Sequence, residues 1–118
     1  MKTIFVCDDE SDFRQEIRRF LDKLGFEVRE MANGQELLTA VHWKRPDAIL
    51  LDIFMPEMSG WETLARLKND PETADIPIII VSVLAPEDVD GPVAGVRGWF
   101  QKPYNDHSLA AAVTQAVN

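Results

Sequence analysis

The chain has one cysteine, one tyrosine and two histidines in 118 residues, and its 20 aspartates and glutamates outnumber its 12 lysines and arginines. A lone thiol, Cys7, excludes an internal disulfide, and its place in an apolar run makes it a buried side chain rather than a reactive one. His42 and His107 lack ligand spacing and read as surface or half-buried residues rather than catalytic ones. A formal net charge of -8 disfavours long-range attraction to nucleic acid or to an anionic membrane. No stretch approaches the roughly 20 apolar residues that a membrane span needs. The opening MKTIFVCDDE reaches acidic residues too early for a signal-peptide plan, so a cytoplasmic protein is expected. Repeats and low-complexity tracts are also lacking.

What is present is an ordinary globular composition, 46% hydrophobic and 27% charged, in a length that suits one domain over residues 1–118. Thr3 to Cys7 is a continuous apolar run of strand length, followed by Phe13, Ile17, Phe20, Leu21 and Leu24 at helical spacing, with Gly25 as the stop. Phe26 to Glu30 alternates like a strand. Asn33-Gly34 then offers a cap for a helix through Leu37, Leu38 and Val41 toward Trp43, which should cover the end of that helix, and Pro46 follows. Ala48 to Leu51 is the third strand. The loop Ile53 to Gly60 leads into a helix expected to carry Trp61, Leu64, Ala65 and Lys68 on one side before Asp70-Pro71. Ile78 to Val81 is apolar on both faces, as a central parallel strand must be, and stops at Ser82. Gly98 to Gln101 is the fifth strand, and Asn105 caps a last helix bearing Leu109, Val113, Ala116 and Val117.

Strands alternating with helices imply a parallel sheet covered on both faces, with ligands gathering beyond the carboxyl ends of the strands. In the order 2-1-3-4-5, strand one lies beside strand three, so Asp8 and Asp9 meet Asp52 where the winding reverses. Ser82 and Lys102 end two further strands at the same edge. Three neighbouring carboxylates raise each other's pKa and call for a cation. Oxygen ligands without histidine or cysteine favour Mg2+, which keeps waters and completes its shell with phosphate. An aspartate with a pKa near ~3.9 is ionised at neutral pH and needs no general base to attack phosphorus. Lys102 would neutralise the oxygens of the incoming group.

The motifs CDDE, LLDIFMPEMSG, the strand-ending Ser82 and WFQKP together resemble a response-regulator receiver domain over essentially the whole chain. The resemblance implies a flavodoxin-like (βα)5 three-layer sandwich and a signalling module rather than a turnover enzyme, one that assists its own phosphorylation and dephosphorylation. It implies Asp52 as phosphoacceptor, Asp8 and Asp9 as the acidic pair holding Mg2+ together with Asp52 and the backbone carbonyl of Phe54, and Lys102 as the phosphoryl counter-charge. Ser82 would hydrogen-bond the phosphoryl group. As this hydroxyl moves, the aromatic of strand five, Trp99, would rotate and reshape the surface made by the fourth helix, strand five and the last helix. The implied partner is a sensor histidine kinase or phosphotransfer protein that donates from a phosphohistidine.

The chain departs from that pattern in VLAPEDVDGPVAGVRG, between Ser82 and Trp99, where Asp90-Gly91-Pro92 breaks helical continuity and predicts a shortened or irregular fourth helix. Phe54 and Leu84 flank the expected path of an attacking water, which predicts slow loss of phosphate. Ala110, Ala111, Ala112 and Thr114 form a nearly uncharged face suited to docking or to a phosphorylation-linked dimer. Arg14, Arg18, Arg19 and Lys23, interspersed with acids, read as a solvated face, to which the resemblance adds docking of the phosphodonor. Two rivals with chemistry of their own remain. A Mg2+-dependent phosphatase of the haloacid-dehalogenase type would want an acid at Phe54. A flavodoxin-like cofactor carrier would want a phosphate loop where Asp8-Asp9-Glu10 stands. A receiver-like scaffold working without phosphorylation is the third alternative.

Overall fold

Each apolar run pairs with its neighbours because a backbone buried on both faces must satisfy its amides and carbonyls within the sheet. The computed structural model describes residues 1–89 and 95–118. In chain order these give β1 (Thr3–Cys7), α1 (Ser11–Lys23), β2 (Glu27–Met31), α2 (Gly34–Trp43), β3 (Ala48–Leu51), α3 (Gly60–Asn69), β4 (Ile78–Ser82), β5 (Gly98–Gln101) and α4 (Asp106–Val117). All five strands are parallel, in the order β2-β1-β3-β4-β5.

Alternate strand residues feed two cores. Phe5, Cys7, Ile49, Leu51, Ile78 and Ile80 face α2 and α3, where Leu37, Val41, Leu64 and Leu67 meet them. Ile4, Val6, Ala48, Leu50, Ile79 and Val81 face α1 and α4, where Ile17, Leu21, Leu109 and Val113 close the other layer. The result is the expected three-layer sandwich. Asn33, Ser59 and Asn105 accept amide hydrogens from Glu36, Glu62 and Ser108 and so cap α2, α3 and α4. Gly25 turns the chain out of α1 in the left-handed region, at φ 88°.

Three expectations are corrected. The second strand runs Glu27–Met31, one residue later than the alternation indicated. Helix α3 buries Gly60, Thr63, Leu64 and Leu67, while Trp61 and Ala65 point outward. Its rotation is set by Gly60, because a Cβ there would overlap the carbonyl oxygen of Asp52. Trp43 does not cover the end of α2: it is 86% exposed. Between β4 and β5 the described residues form a 3-10 turn, Pro86–Asp88, and no α-helix. The Asp90-Gly91-Pro92 break lies outside the described residues.

Register delivers the site. Cys7 stands opposite Leu51, so Asp8 and Asp52 leave adjacent strands in step. Ser82 stands opposite Gln101, which puts Lys102 one residue beyond it at the same edge. Gly60 belongs to this arrangement because α3 begins against the backbone of Asp52 and Ile53. Gly60→Ala is expected to destabilise the fold by about 1–3 kcal/mol through overpacking against backbone that has no rotamer to yield. Urea unfolding of the two proteins measures this, with Gly34→Ala as the milder control, since its obstacles are the side chains of Thr63 and Met58.

Candidate functional site

The edge beyond β1, β3, β4 and β5 holds a buried charge cluster. Lys102 Nζ lies 2.7 Å from Asp8 Oδ2 and 3.4 Å from Asp52 Oδ2. All three side chains are at most 5% exposed. The same ammonium sits 3.9 Å from the centroid of the Phe13 ring on α1, a cation–π contact that also shields the pair from water. Asp52 is held from its own side: its Oδ1 accepts from the Ile53 amide at 2.7 Å and the Phe54 amide at 3.4 Å. Its amide donates to the Cys7 carbonyl at 3.0 Å.

Asp8 Oδ1 accepts the Glu10 amide at 2.9 Å, which folds the β1–α1 loop back on itself. The carboxylate oxygens of Asp8, Asp9 and Glu10 can be chosen within 4.8 Å of one another, with Asp9 and Glu10 exposed. Asp52 reaches this trio through Lys102 and Asp8. Ser82 is fully buried, and its Oγ accepts the Leu84 amide at 3.2 Å. Lys102 donates its own amide to the Ser82 carbonyl at 2.7 Å, so the hydroxyl and the ammonium share one anchor. Phe54 turns its ring to solvent, 55% exposed. Trp99 donates its indole N–H to the Leu84 carbonyl at 2.8 Å and packs against Trp61, ring centroids 5.8 Å apart.

Electrostatics follow from burial. Desolvation pushes the Asp52 carboxyl above the usual carboxylate range, and the Asp8 charge adds to the rise; Lys102 and the Ile53 amide offset it only in part. Burial alone would lower Lys102, but its hydrogen bond to Asp8 and the charges of Asp8 and Asp52 outweigh that, and its pKa stands above the lysine norm. Cys7, 1% exposed, has its thiol pushed up by burial first and by Asp8 next, which keeps it protonated and inert.

Six of the sequence candidates, Asp8, Asp9, Asp52, Phe54, Ser82 and Lys102, therefore line one sheet edge, with Trp99 attached to it through Leu84. The residues missed were Glu10, whose carboxylate joins the acidic trio, and Phe13, beneath the ammonium. Arg14 does not share the solvated face expected for α1: its side chain is 16% exposed and reaches the Asp8 carbonyl.

Other clusters carry less. His42 faces Asp70 with Nε2 at 3.7 Å and Glu72 with Nδ1 at 3.8 Å, and one ring nitrogen and one oxygen from each carboxylate lie within 4.8 Å of one another on an open surface, a grouping that the lack of ligand spacing in the sequence did not reveal. A groove of about 470 Å³ between β2 and α2, floored by Phe5 and Met31 and edged by Trp43, includes none of the strand-end residues.

The response regulator receiver domain model matches residues 4–114. The chain belongs to the response regulator receiver domain family. Receiver domains are signalling modules. Among curated relatives, this receiver domain is 38% identical over 112 residues to the phosphate regulon transcriptional regulatory protein PhoB of Pseudomonas aeruginosa, covering 93% of the chain and 49% of that protein. The chain thus spans about half of PhoB. It is 30% identical to Protein PilH of the same organism, over 99% of the chain and 98% of PilH. Among solved structures it superposes on the chemotaxis protein CheY4 of Vibrio cholerae with a TM-score of 0.87 at 29% identity, covering 98% of each chain. The receiver domain of a histidine kinase from Syntrophus aciditrophicus gives a TM-score of 0.91 at 28% identity, over 99% of this chain and 90% of that one. The receiver fold and its family are thereby shown; receiver domains generally bind Mg2+ through acidic residues, and this chain carries an acidic cluster at Asp8, Asp9 and Glu10.

The raised pKa of Asp52 has a stability consequence in metal-free buffer. A carboxyl easier to ionise in the unfolded chain than in the folded one costs stability above its folded pKa, and the cost vanishes below the unfolded value. Asp52→Asn is therefore expected to raise Tm at pH 7 without Mg2+, and the gain should shrink as pH falls toward about 4 and vanish only below the unfolded-state carboxyl value of about 3.9. Thermal melts of both proteins from pH 4 to 8 check this.

Proposed function

We propose that residues 1–118 form one receiver domain that accepts a phosphoryl group on Asp52 from a phosphohistidine donor in the cytoplasm, the donor being a sensor histidine kinase or phosphotransfer protein. The observation that carries the reading is the buried ammonium of Lys102 placed against both Asp8 and Asp52. No helix of the described residues is long and apolar enough to cross a membrane.

Transfer would proceed by attack of an Asp52 carboxylate oxygen on phosphorus. An O–P bond forms as the P–N bond to the donor imidazole breaks, and the leaving nitrogen takes the electron pair. Oδ1 is tied by the Ile53 and Phe54 amides, so Oδ2, beside the ammonium, is assigned as the attacking atom. Lys102 screens the phosphoryl oxygens as they approach. Ser82 Oγ accepts the Leu84 amide, which leaves its hydroxyl hydrogen free to turn and donate to the phosphoryl group. The donor set is all oxygen, which fits Mg2+, and Asp8, Asp9, Asp52 and the Phe54 carbonyl would hold it. When bound, Mg2+ supplies charge neutralisation at the phosphoryl oxygens.

The switch is assigned to Ser82 and Trp99, with output through β5, α4 and the segment between β4 and β5. Direct nucleic-acid binding by this domain is not part of the reading. The α4 face around Ala111 and Thr114 is exposed and available for a partner or a second copy.

The test is incubation with Mg2+ and acetyl phosphate, followed by intact mass. One phosphoryl adduct in the wild type and none in Asp52→Asn is the expected result; withholding Mg2+ should abolish the adduct. Steady phosphate release without an adduct would favour a phosphatase, and no adduct from any donor would favour a phosphorylation-independent scaffold.

Dephosphorylation adds a second measurement. Phe54, two residues after Asp52 and 55% exposed, and Leu84, two residues after Ser82, are the apolar groups that would keep an attacking water from being oriented. Replacing both with polar residues, Phe54→Asn with Leu84→Lys, is expected to shorten the half-life of the adduct by roughly threefold or more, on the scale of a single positioned water contact. An unchanged half-life removes that role.

A further inference from the structure

We propose that Arg14 is a positioning residue for the metal-holding loop Asp8–Glu10, acting through the backbone carbonyl of Asp8. This rests on the reading of the acidic edge as a Mg2+ site and extends it to a residue on α1 that touches no metal ligand's carboxylate.

The β1–β2 ladder explains why a guanidinium is needed. Pairing stops at Cys7 and Met31, and the last bond of the pair is from the Asp8 amide to the Met31 carbonyl, 3.1 Å. The next carbonyl directed toward β2 is that of Asp8, past the end of the strand. Arg14 Nη1 donates to it at 2.7 Å. The guanidinium is itself fixed, because its Nε donates to Glu30 Oε1 on β2 at 3.1 Å. Arg18, one turn later, holds the other oxygen of Glu30 at 2.8 Å. Arg14 is thus clamped between the edge strand and the loop, mostly out of solvent, in a geometry that the planar fork of arginine suits and a lysine does not.

The consequence falls on Asp9. A peptide unit is planar, so holding the Asp8 oxygen restrains the Asp9 nitrogen and the Asp9 Cα from which its side chain departs. The Asp9 carboxylate makes no hydrogen bond among the described residues, so nothing in its own side chain sets its position. Asp8 is secured by Glu10 and Lys102. Asp9 depends on its backbone, and Mg2+ tolerates little departure from octahedral geometry.

A plain charge effect predicts the opposite sign. Arg14 is a cation near a cation site, so if only its charge mattered, removing it would tighten metal binding. If it positions the loop, removing it weakens binding.

Isothermal titration of Mg2+ into the 118-residue chain, with the Mg2+-induced rise in Tm as a second readout, separates the two. Arg14→Met, which keeps the apolar stem and loses every donor, is expected to raise the Kd for Mg2+ roughly 10-fold, as loss of an outer-shell partner does. Its phosphorylation by acetyl phosphate should need correspondingly more Mg2+ yet reach the wild-type rate at saturation. Arg14→Lys keeps the charge but cannot span Glu30 and Asp8, and should weaken binding roughly threefold. This variant carries the test if Arg14→Met does not fold. Unchanged or tighter Mg2+ binding in the folded variant overturns the assignment while leaving the phosphoacceptor reading intact. A wild type that binds no Mg2+ overturns the metal reading and this assignment with it.

Discussion

The buried ammonium of Lys102 is the constraint on which the carboxyl edge of the sheet depends. Two carboxylates from neighbouring strands are withdrawn from water at Asp8 and Asp52, and each would force the other toward the neutral form if left alone. A single cation between them makes their ionised state tolerable, although not comfortable, since Asp52 keeps a raised pKa. The remaining discomfort is functional in kind. The site remains net anionic at its floor, and Asp9 and Glu10 add to this at the rim, so a divalent cation relieves the repulsion instead of creating it.

That arrangement is inherited from β-sheet register more than from any local motif. Cys7 beside Leu51 and Ser82 beside Gln101 place four chain segments in step, and the residue after each paired position becomes a site residue or its neighbour. A slip of one residue would exchange the side chains of the two cores as well as scatter the cluster, so core packing and site geometry are protected by the same pairing. Gly60 adds a third support by letting α3 start against the Asp52 backbone.

The fold was legible because the signals that determine it are short in range. Apolar runs such as Ile78–Val81 can only be central strands, asparagines at positions 33 and 105 cap the helices that follow, and the polar residues closing each run mark the strand ends. What escaped is what depends on three dimensions. The buried face of α3 could not be chosen between two similar stripes until the close approach at Gly60 was known. Trp43 looked like a cover and is not, because α2 ends there and the chain turns away into Lys44, with an extended backbone. Arg14 shared its helix with Arg18, Arg19 and Lys23, and nothing in the spacing of those charges distinguishes the one that reaches back to a strand-end carbonyl from those that face solvent.

Among the described residues, Leu84 links Ser82 to Trp99. Leu84 gives its amide to the Ser82 hydroxyl and takes the Trp99 indole on its carbonyl, so both contacts involve the main chain of one loop residue. A hydroxyl drawn toward a phosphoryl group can donate to it while still accepting that amide, so its movement pulls on Leu84 and, one peptide further on, on the carbonyl where the indole rests. Trp99 in turn leans on Trp61 of α3, whose ring is at the surface. In the proposed switch a tryptophan therefore need not swing as a free rotor: its polar end follows Leu84, its flat face is braced by Trp61, and motion is divided between the loop and the α3 surface. Both links use backbone groups of Leu84, while its side chain packs against the core shared with α2 and α3, so the loop residue that would carry the movement is anchored on its apolar side.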